Sequence, residues 1–191
     1  MTDARSGFAA GLSSAGDRAS SRGPSSLEDE VVSLFDELRK PLLRYLISFC
    51  IPVADAEEIV QEVFLALLRH LRDGKSRDSL HAWIFRVAHN LALKQRIRHR
   101  QHADRFASGP GLFRRITDDA APPDESIAWS QRRHRLLAVV QALPEQDRHC
   151  LSLRAEGLRY REIAGILGIA LGSVANSLSK SLSRLKNAEE S

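Results

Sequence analysis

The chain has 191 residues with 28 Lys and Arg against 24 Asp and Glu, a formal charge of +4, and 43% apolar residues. That length holds one medium domain or two small ones with a real core; the absence of any run of about 18 apolar residues argues against a membrane-spanning helix, and no apolar signal core stands near Met1. The basic balance points to an anionic partner, and the two cysteines, Cys50 and Cys150, stand far apart in apolar helical contexts, which predicts buried reduced thiols and a cytoplasmic setting.

Residues 1–26 are rich in Ser, Ala, Gly and Arg with few large apolar side chains, so they lack the burial that offsets ordering entropy and read as a disordered tail. From Leu27 the pattern changes. Val31, Leu34, Phe35, Leu38, Leu42, Tyr45, Leu46 and Phe49 recur at helical spacing up to Pro52, with Pro41 expected to kink or split the helix. In the next stretch Asp55 with Glu58 resembles a capping box, and Ile59, Val60, Val63, Phe64, Leu67, Leu68 and Leu71 form one buried stripe. Asp55, Glu57, Glu58, Gln61 and Glu62 are left outside. Part of this acidic face is the ordinary helix-dipole device; Gln61 and Glu62, beyond the first turn, suit docking onto a basic surface.

A polar loop from Arg72 to Asp78 leads to a helix that Ser79 is placed to cap, with Leu80, Trp83, Ile84, Val87, Ala88 and Leu91 on its buried stripe. Past Asn90 the apolar residues thin out and Lys94, Arg96, Arg98 and Arg100 point in several directions around the axis. Such a segment reads as a basic rod projecting from the body. Its cations suit phosphates, and His89, Asn90, Gln95, His99, Gln101 and His102 can hydrogen-bond bases; a solvated helix end is the plainer alternative.

Residues 104–126 hold Gly109-Pro110-Gly111 and Pro122-Pro123 without a sustained period and read as a linker, in which Leu112, Phe113, Ile116, Asp118 and Asp119 suit either a tether lying against something or a passive spacer. Four helices follow. Ile127, Leu136, Leu137, Val140 and Leu143 mark the first; Pro144 begins the second, with Cys150, Leu151 and Leu153, and Gly157 stops it. Then Ile163, Ala164, Leu167, Ile169, Val174 and Leu178 surround a turn at Gly168, which is helix-turn-helix spacing. With Val174, Leu178, Leu182 and Leu185 inward, Ser173, Asn176, Ser179, Lys180, Ser183 and Arg184 face outward as candidate groove residues.

Three stretches, DAEEIVQEVFLALLRHL, HAWIFRVAHNLALKQRIRHR and LPEQDRHCLSLRAEGLRYREIAGILGIALGSVANSLSKSLSRLK, together and in this order resemble the extracytoplasmic-function (ECF) type of bacterial RNA polymerase sigma factor. The resemblance implies an all-α protein of two small helical domains joined by a flexible linker. One, over 27–103, would bind polymerase and recognise and melt the minus-ten element. The other, over 127–188, would carry a helix-turn-helix for the minus-thirty-five element. It implies core RNA polymerase and promoter DNA as partners, an anti-sigma factor as a separate inhibitor, and neither cofactor nor membrane. Residue by residue, it assigns Asp55, Glu58, Gln61 and Glu62 to the polymerase clamp, Asn90 to an extruded base with the loop Arg72 to Asp78 helping to hold it, and Leu112 to Asp119 to the RNA-exit path. Lys94, Arg96, Arg98 and Arg100 join the minus-ten contact, and Ser173, Asn176, Ser179, Lys180 and Arg184 the minus-thirty-five contact. Lys94 stands where an acidic residue is common in the family, and Ala175 and Ser177 where Lys or Arg is usual. The second departure predicts a weak grip on the upstream element.

Three other readings fit parts of the chain. One is an activator or repressor whose only DNA module is the C-terminal helix-turn-helix, although the front half lacks the strands of a receiver. Another is a nucleic-acid enzyme using Asp118, Asp119, Asp124 and Glu125 with a metal, but Pro-rich ground is poor for a preorganised site. The third is an anti-sigma or adaptor protein that starts no transcripts. No histidine pair has HExxH spacing and no Gly-rich phosphate loop is present, so the expected function is binding without catalysis.

Overall fold

The computed structural model describes residues 26–105 and 127–190, with side chains placed for 26–101 and 132–189. The expected tail and linker lie outside these residues except at their edges. Among the described residues there are seven helices: α1 (Leu27–Ile47), α2 (Val53–Arg72), α3 (Leu80–Arg105), α4 (Ile127–Gln141), α5 (Glu145–Ala155), α6 (Tyr160–Leu167) and α7 (Leu171–Glu190). None is long and apolar enough by itself to cross a membrane.

Helix α1 begins where Ser26 Oγ accepts the Asp29 amide at 3.1 Å and carries Glu28, Asp29 and Glu30 in its first turn, satisfying an otherwise unpaired donor and complementing the dipole. Pro41 sits inside it without splitting it. A proline removes its own amide bond and crowds the carbonyl four residues back, but Leu38, Leu42, Tyr45 and Leu46, all buried, bind the helix to its neighbours on both sides of that gap. Helix α2 starts earlier than the sequence suggests, with Pro52 at its N-cap and no side-chain capping bond, so Asp55 is a first-turn residue rather than a cap. The stripe Ile59, Val60, Val63, Phe64, Leu67 and Leu71 is buried as expected.

Ser79 offers its carbonyl to the Trp83 amide at 2.9 Å, yet its φ of 53° is left-handed rather than the extended geometry of an N-cap. Cys50 is the other non-glycine residue there, φ 61°, and it is exposed, unlike the buried Cys150; an apolar context predicted burial, but the turn after α1 carries the side chain outward. The second half follows its turn signals closely. Gly157 and Gly168 take φ of 86° and 67°, conformations that glycine adopts without a Cβ penalty. The Gly168 turn lets α6 and α7 meet with a bend of 107°, within the range of a helix-turn-helix.

The two halves are not separate bodies. One continuous buried cluster runs from Leu38, Leu42 and Phe49 through Phe85 and Ala88 to Cys150, Leu153, Ile163, Val174 and Leu178. Helix α3 packs on α6, and α1 touches α5. Gly165 lies at the first of these contacts, where a Cβ would stand 2.8 Å from Arg86 Nη2, the far end of a flexible side chain that can shift aside. Arg44 of α1 grips the Glu156 carboxylate with Nε and Nη2, at 2.9 to 3.1 Å.

Candidate nucleic-acid and partner interface

Position on α2 decides the acidic surface. Asp55, Glu58 and Glu62 repeat at three and four residues and so share a side with Gln61; Glu58, Gln61 and Glu62 are exposed. Asp55 differs, half-buried and turned to α3, where its Oδ2 accepts from Gln95 Nε2 at 3.2 Å and meets His99 Nε2. The outer neighbour Glu57 pairs with Arg39 at 3.5 Å. Three of the four docking candidates therefore present open carboxylates and an amide, and the fourth braces α2 against α3.

Asn90 is exposed while the residues on either side of it, His89 and Leu91, are buried and half-buried. It stands on a helix fixed by Ile84, Phe85, Ala88 and Ala92, each at 0% exposure, so its carboxamide is held at a defined place on a rigid element. The loop before α3 is tied down by polar bonds. Ser76 Oγ donates to Asp78 Oδ2 at 2.9 Å and accepts the Asp78 amide at 3.0 Å. His70 Nε2 lies 2.9 Å from the Ser76 carbonyl and its ring rests on Trp83 at 4.5 Å. Arg72 and Arg77 pair with Glu28 and Glu30 of α1 at 3.2 and 3.3 Å.

The basic segment of α3 does not project freely. Lys94, Arg98 and Arg100 are exposed, but Arg96 is ion-paired with Glu145 of α5 and holds that carboxyl below the usual range. Gln95 and His99, expected to read bases, are engaged by Asp55. Gln101 is exposed, and the side chain of His102 lies outside the described residues. His89 departs furthest from expectation. It is 6% exposed, bonded through Nδ1 to the Tyr45 hydroxyl at 2.8 Å, and burial pushes its pKa down. It is a core histidine, and Phe85 four residues earlier, fully buried, marks the second apolar stripe that the sequence reading left out.

On α7, Asn176, Ser179, Lys180, Ser183 and Arg184 are exposed and Ser173 half-buried. The opposite face is corrected in two places. Leu182 is 55% exposed, whereas Ser177 and Ser181 are buried. Ser181 Oγ donates to the Ser177 carbonyl at 2.8 Å, and Ser177 Oγ accepts from Gln146 Nε2 of α5 at 3.3 Å. A hydroxyl bonded inside its own helix and to a neighbour can occupy a core position that alternation of apolar and polar residues would assign to leucine. Ser177 thus faces the body, and of the two positions lacking a cation only Ala175 is exposed.

Where the halves meet, the aromatic groups interleave. His149 of α5, 4% exposed, stacks on Phe49 at 4.1 Å with 20° between the rings, and lies 5.9 Å from His89 and 6.0 Å from Tyr45. Burial lowers its pKa from 6.5 to about 4; Glu145 opposes that shift, while His89, Arg148 and Arg96 add to it. Burial likewise raises the Tyr45 phenol well above its ordinary value. The sequence offers His89 as a base contact and gives His149 no role beyond its lack of metal spacing. His149 beside Cys150 and Leu151, and His89 four residues after Phe85, were the available signals of burial. Among the described residues no group of three metal-ligating side chains converges. The four acids offered for a metal enzyme lie outside the described residues.

Two family descriptions match the chain in order: Sigma-70 region 2 over residues 34–103 and Sigma-70, region 4 over residues 133–185. The ECF RNA polymerase sigma-E factor of Escherichia coli is 26% identical over 153 residues, 74% of this chain and 78% of that protein. RNA polymerase sigma factor CarQ of Myxococcus xanthus is 30% identical over 118 residues, 62% of this chain and 65% of that protein. The fold is similar to that of the sigma factor RpoE in complex with the anti-sigma factor NepR from Bartonella quintana, with TM-score 0.57, 22% identity, and coverage of 83% of this chain and 97% of that one. It is also similar to CnrH in complex with the cytosolic domain of CnrY, with TM-score 0.56, 21% identity, and coverage of 85% and 88%.

Proposed function

Because the chain belongs to the sigma-70 family and to its extracytoplasmic-function type, we propose that it binds core RNA polymerase, directs it to promoters by reading two DNA elements, and traps opened strand at the downstream one. The observation that carries this is the order of regions 2 and 4 on one short chain, with a fixed exposed Asn90 in the first and an exposed polar helix face in the second.

The work is binding, and the exposure of these residues supports the following roles. Glu58, Gln61 and Glu62 dock on a basic polymerase surface, supported by Asp55 from behind. The outer face of α7, with Asn176, Ser179, Lys180 and Arg184, enters the major groove of the upstream element, and Ser173 stands at its first turn, where helix amides approach phosphate. Asn90 receives an unstacked base of the downstream element, with the braced loop 72–78 as the wall against which the base is held. Unstacking costs a few kcal/mol, which contacts from Asn90 and the phosphate grip of Lys94, Arg96, Arg98 and Arg100 offset. A chain acting on polymerase and DNA works in the cytoplasm, needs no cofactor, and is open to inhibition by an anti-sigma factor that covers the same faces.

Run-off transcription with purified core enzyme and genomic fragments tests the reading. Transcripts should depend on the added chain, and Asn90→Ala should lower their yield about tenfold or more, equivalent to the 1–3 kcal/mol of a good base contact. Transcripts made equally well without the chain would remove the sigma reading, and unchanged yield and start sites with the variant would remove the role of Asn90.

A further inference from the structure

We propose that the packing of the α1–α3 unit on the α4–α7 unit around His149 is a closed form unable to read both DNA elements, and that protonation of His149 releases it. The functional consequence rests on the sigma-factor reading above; the release itself does not.

The closed form conflicts with reading two sites in two ways. Elements centred near minus ten and minus thirty-five are about 25 base pairs apart, on the order of 85 Å along B-form DNA. In the structure the start of the reading helix, at Leu171, Gly172 and Ala175, lines one cleft with Ser79, which directly follows the loop that serves the downstream element. Two units joined through one buried core and such a cleft cannot span about 85 Å. In addition Arg96, one of the cations offered to DNA, is bound by Glu145 of the other unit.

The contacts that hold the units differ in their response to acid. Arg44 with Glu156, and Arg96 with Glu145, are ion pairs, and the Arg96 guanidinium holds the Glu145 carboxyl below the usual range. The aromatic centre is different. The His149 ring is sandwiched against Phe49, and its Nε2 is buried without a hydrogen-bond partner. A neutral imidazole tolerates that place as an apolar ring; an imidazolium there leaves an N–H donor and a charge without water. Three helices surround the ring. Helix α1 supplies Tyr45 and Phe49, neither charged; α3 supplies His89 and Arg96; α5 supplies Glu145 and Arg148. Glu145 favours a charged ring, but Arg96 already neutralises it, while Arg96, Arg148 and His89 oppose charge. The proton therefore prefers the open form, in which the ring is hydrated.

The sign follows from linkage. The ring binds a proton with pKa near 6.5 when exposed and about 4 when closed, so closure is unaffected above about pH 6.5 and weakens as pH falls through the interval below it. Between pH 7.5 and 5.5 the open-to-closed ratio should rise about tenfold.

Energy transfer between dyes on Val32→Cys and Ser183→Cys, in a Cys50→Ser background of the full chain, reads the separation of the units without polymerase or promoter. The expected result is a reversible shift to longer distance with about a tenfold rise in the open fraction relative to the closed from pH 7.5 to 5.5. In His149→Phe, which keeps a ring on Phe49 but cannot titrate, the rise should fall to about threefold or less. His149→Gln is the second non-titrating variant, with the same flattened profile expected. A wild-type distance that does not change over this interval, or an equal rise in either variant, overturns the proposal. Because nothing in this readout involves transcription, failure of the clasp and failure of the sigma reading are separable.

Discussion

Single residues at the junction set how the molecule responds to its surroundings. The Tyr45 hydroxyl is bonded to His89 Nδ1 in a site that excludes water. Tyr45→Phe removes that bond and keeps the ring packing, so urea unfolding at pH 7.5 should show a loss of about 1 kcal/mol. His149 should make stability fall in acid. Its pKa is lowered from 6.5 to about 4 in the folded chain, so its neutral form is favoured by folding, and its contribution is complete above about pH 6.5 and lost progressively toward pH 4. The full amplitude is about 3 kcal/mol as an upper bound. Midpoints measured from pH 7.5 to 4.5 should show this loss, and it should shrink in His149→Phe. The burial of His89 and His149 was signalled in the sequence by Phe85 and by Cys150 and Leu151, but the rings they meet across the junction were not, because those contacts join residues far apart in the chain. The exposure of Asn90 was legible, since it lies seven residues after Trp83 at the margin of the stripe.

At the level of helices, the apolar period located every described element, because burying one stripe per helix is the dominant constraint on a small all-α fold. What period alone missed was where polar groups compete for interior positions. On α7 two serines took inward places by bonding to the helix itself and to Gln146, and Leu182 was left outside. This changes the expectation for upstream DNA. With Ser177 inward, Ala175 is the exposed position that lacks a cation. Placing one there, Ala175→Arg, should tighten promoter binding and steepen the dependence of log affinity on log salt by about one unit. An unchanged slope would mean that this end of α7 does not approach phosphate. The ends of elements were the other gap. The start of α2 at Val53 rather than Asp55 freed Asp55 to brace α3, a long-range contact of the kind that local capping rules do not contain.

For the whole molecule, the sequence indicated two helical units and the structure shows them sharing one core. The difference arises because stripes reveal that a face is apolar but not which partner covers it. Phe49, Phe85 and Leu153, all buried, satisfy both a unit's own core and the junction. The contacts that close the junction, Arg44 with Glu156 across 112 residues and Arg96 with Glu145 across 49, have no local signature. The open acidic face on α2 belongs to this scale as well, since its use depends on a partner larger than the chain. The most direct measurement is equilibrium binding of the purified chain to core RNA polymerase that lacks its specificity subunit. A saturable one-to-one complex is predicted, weakened at least tenfold by Glu58→Lys with Glu62→Lys, whereas absence of any complex with the unaltered chain would contradict the account.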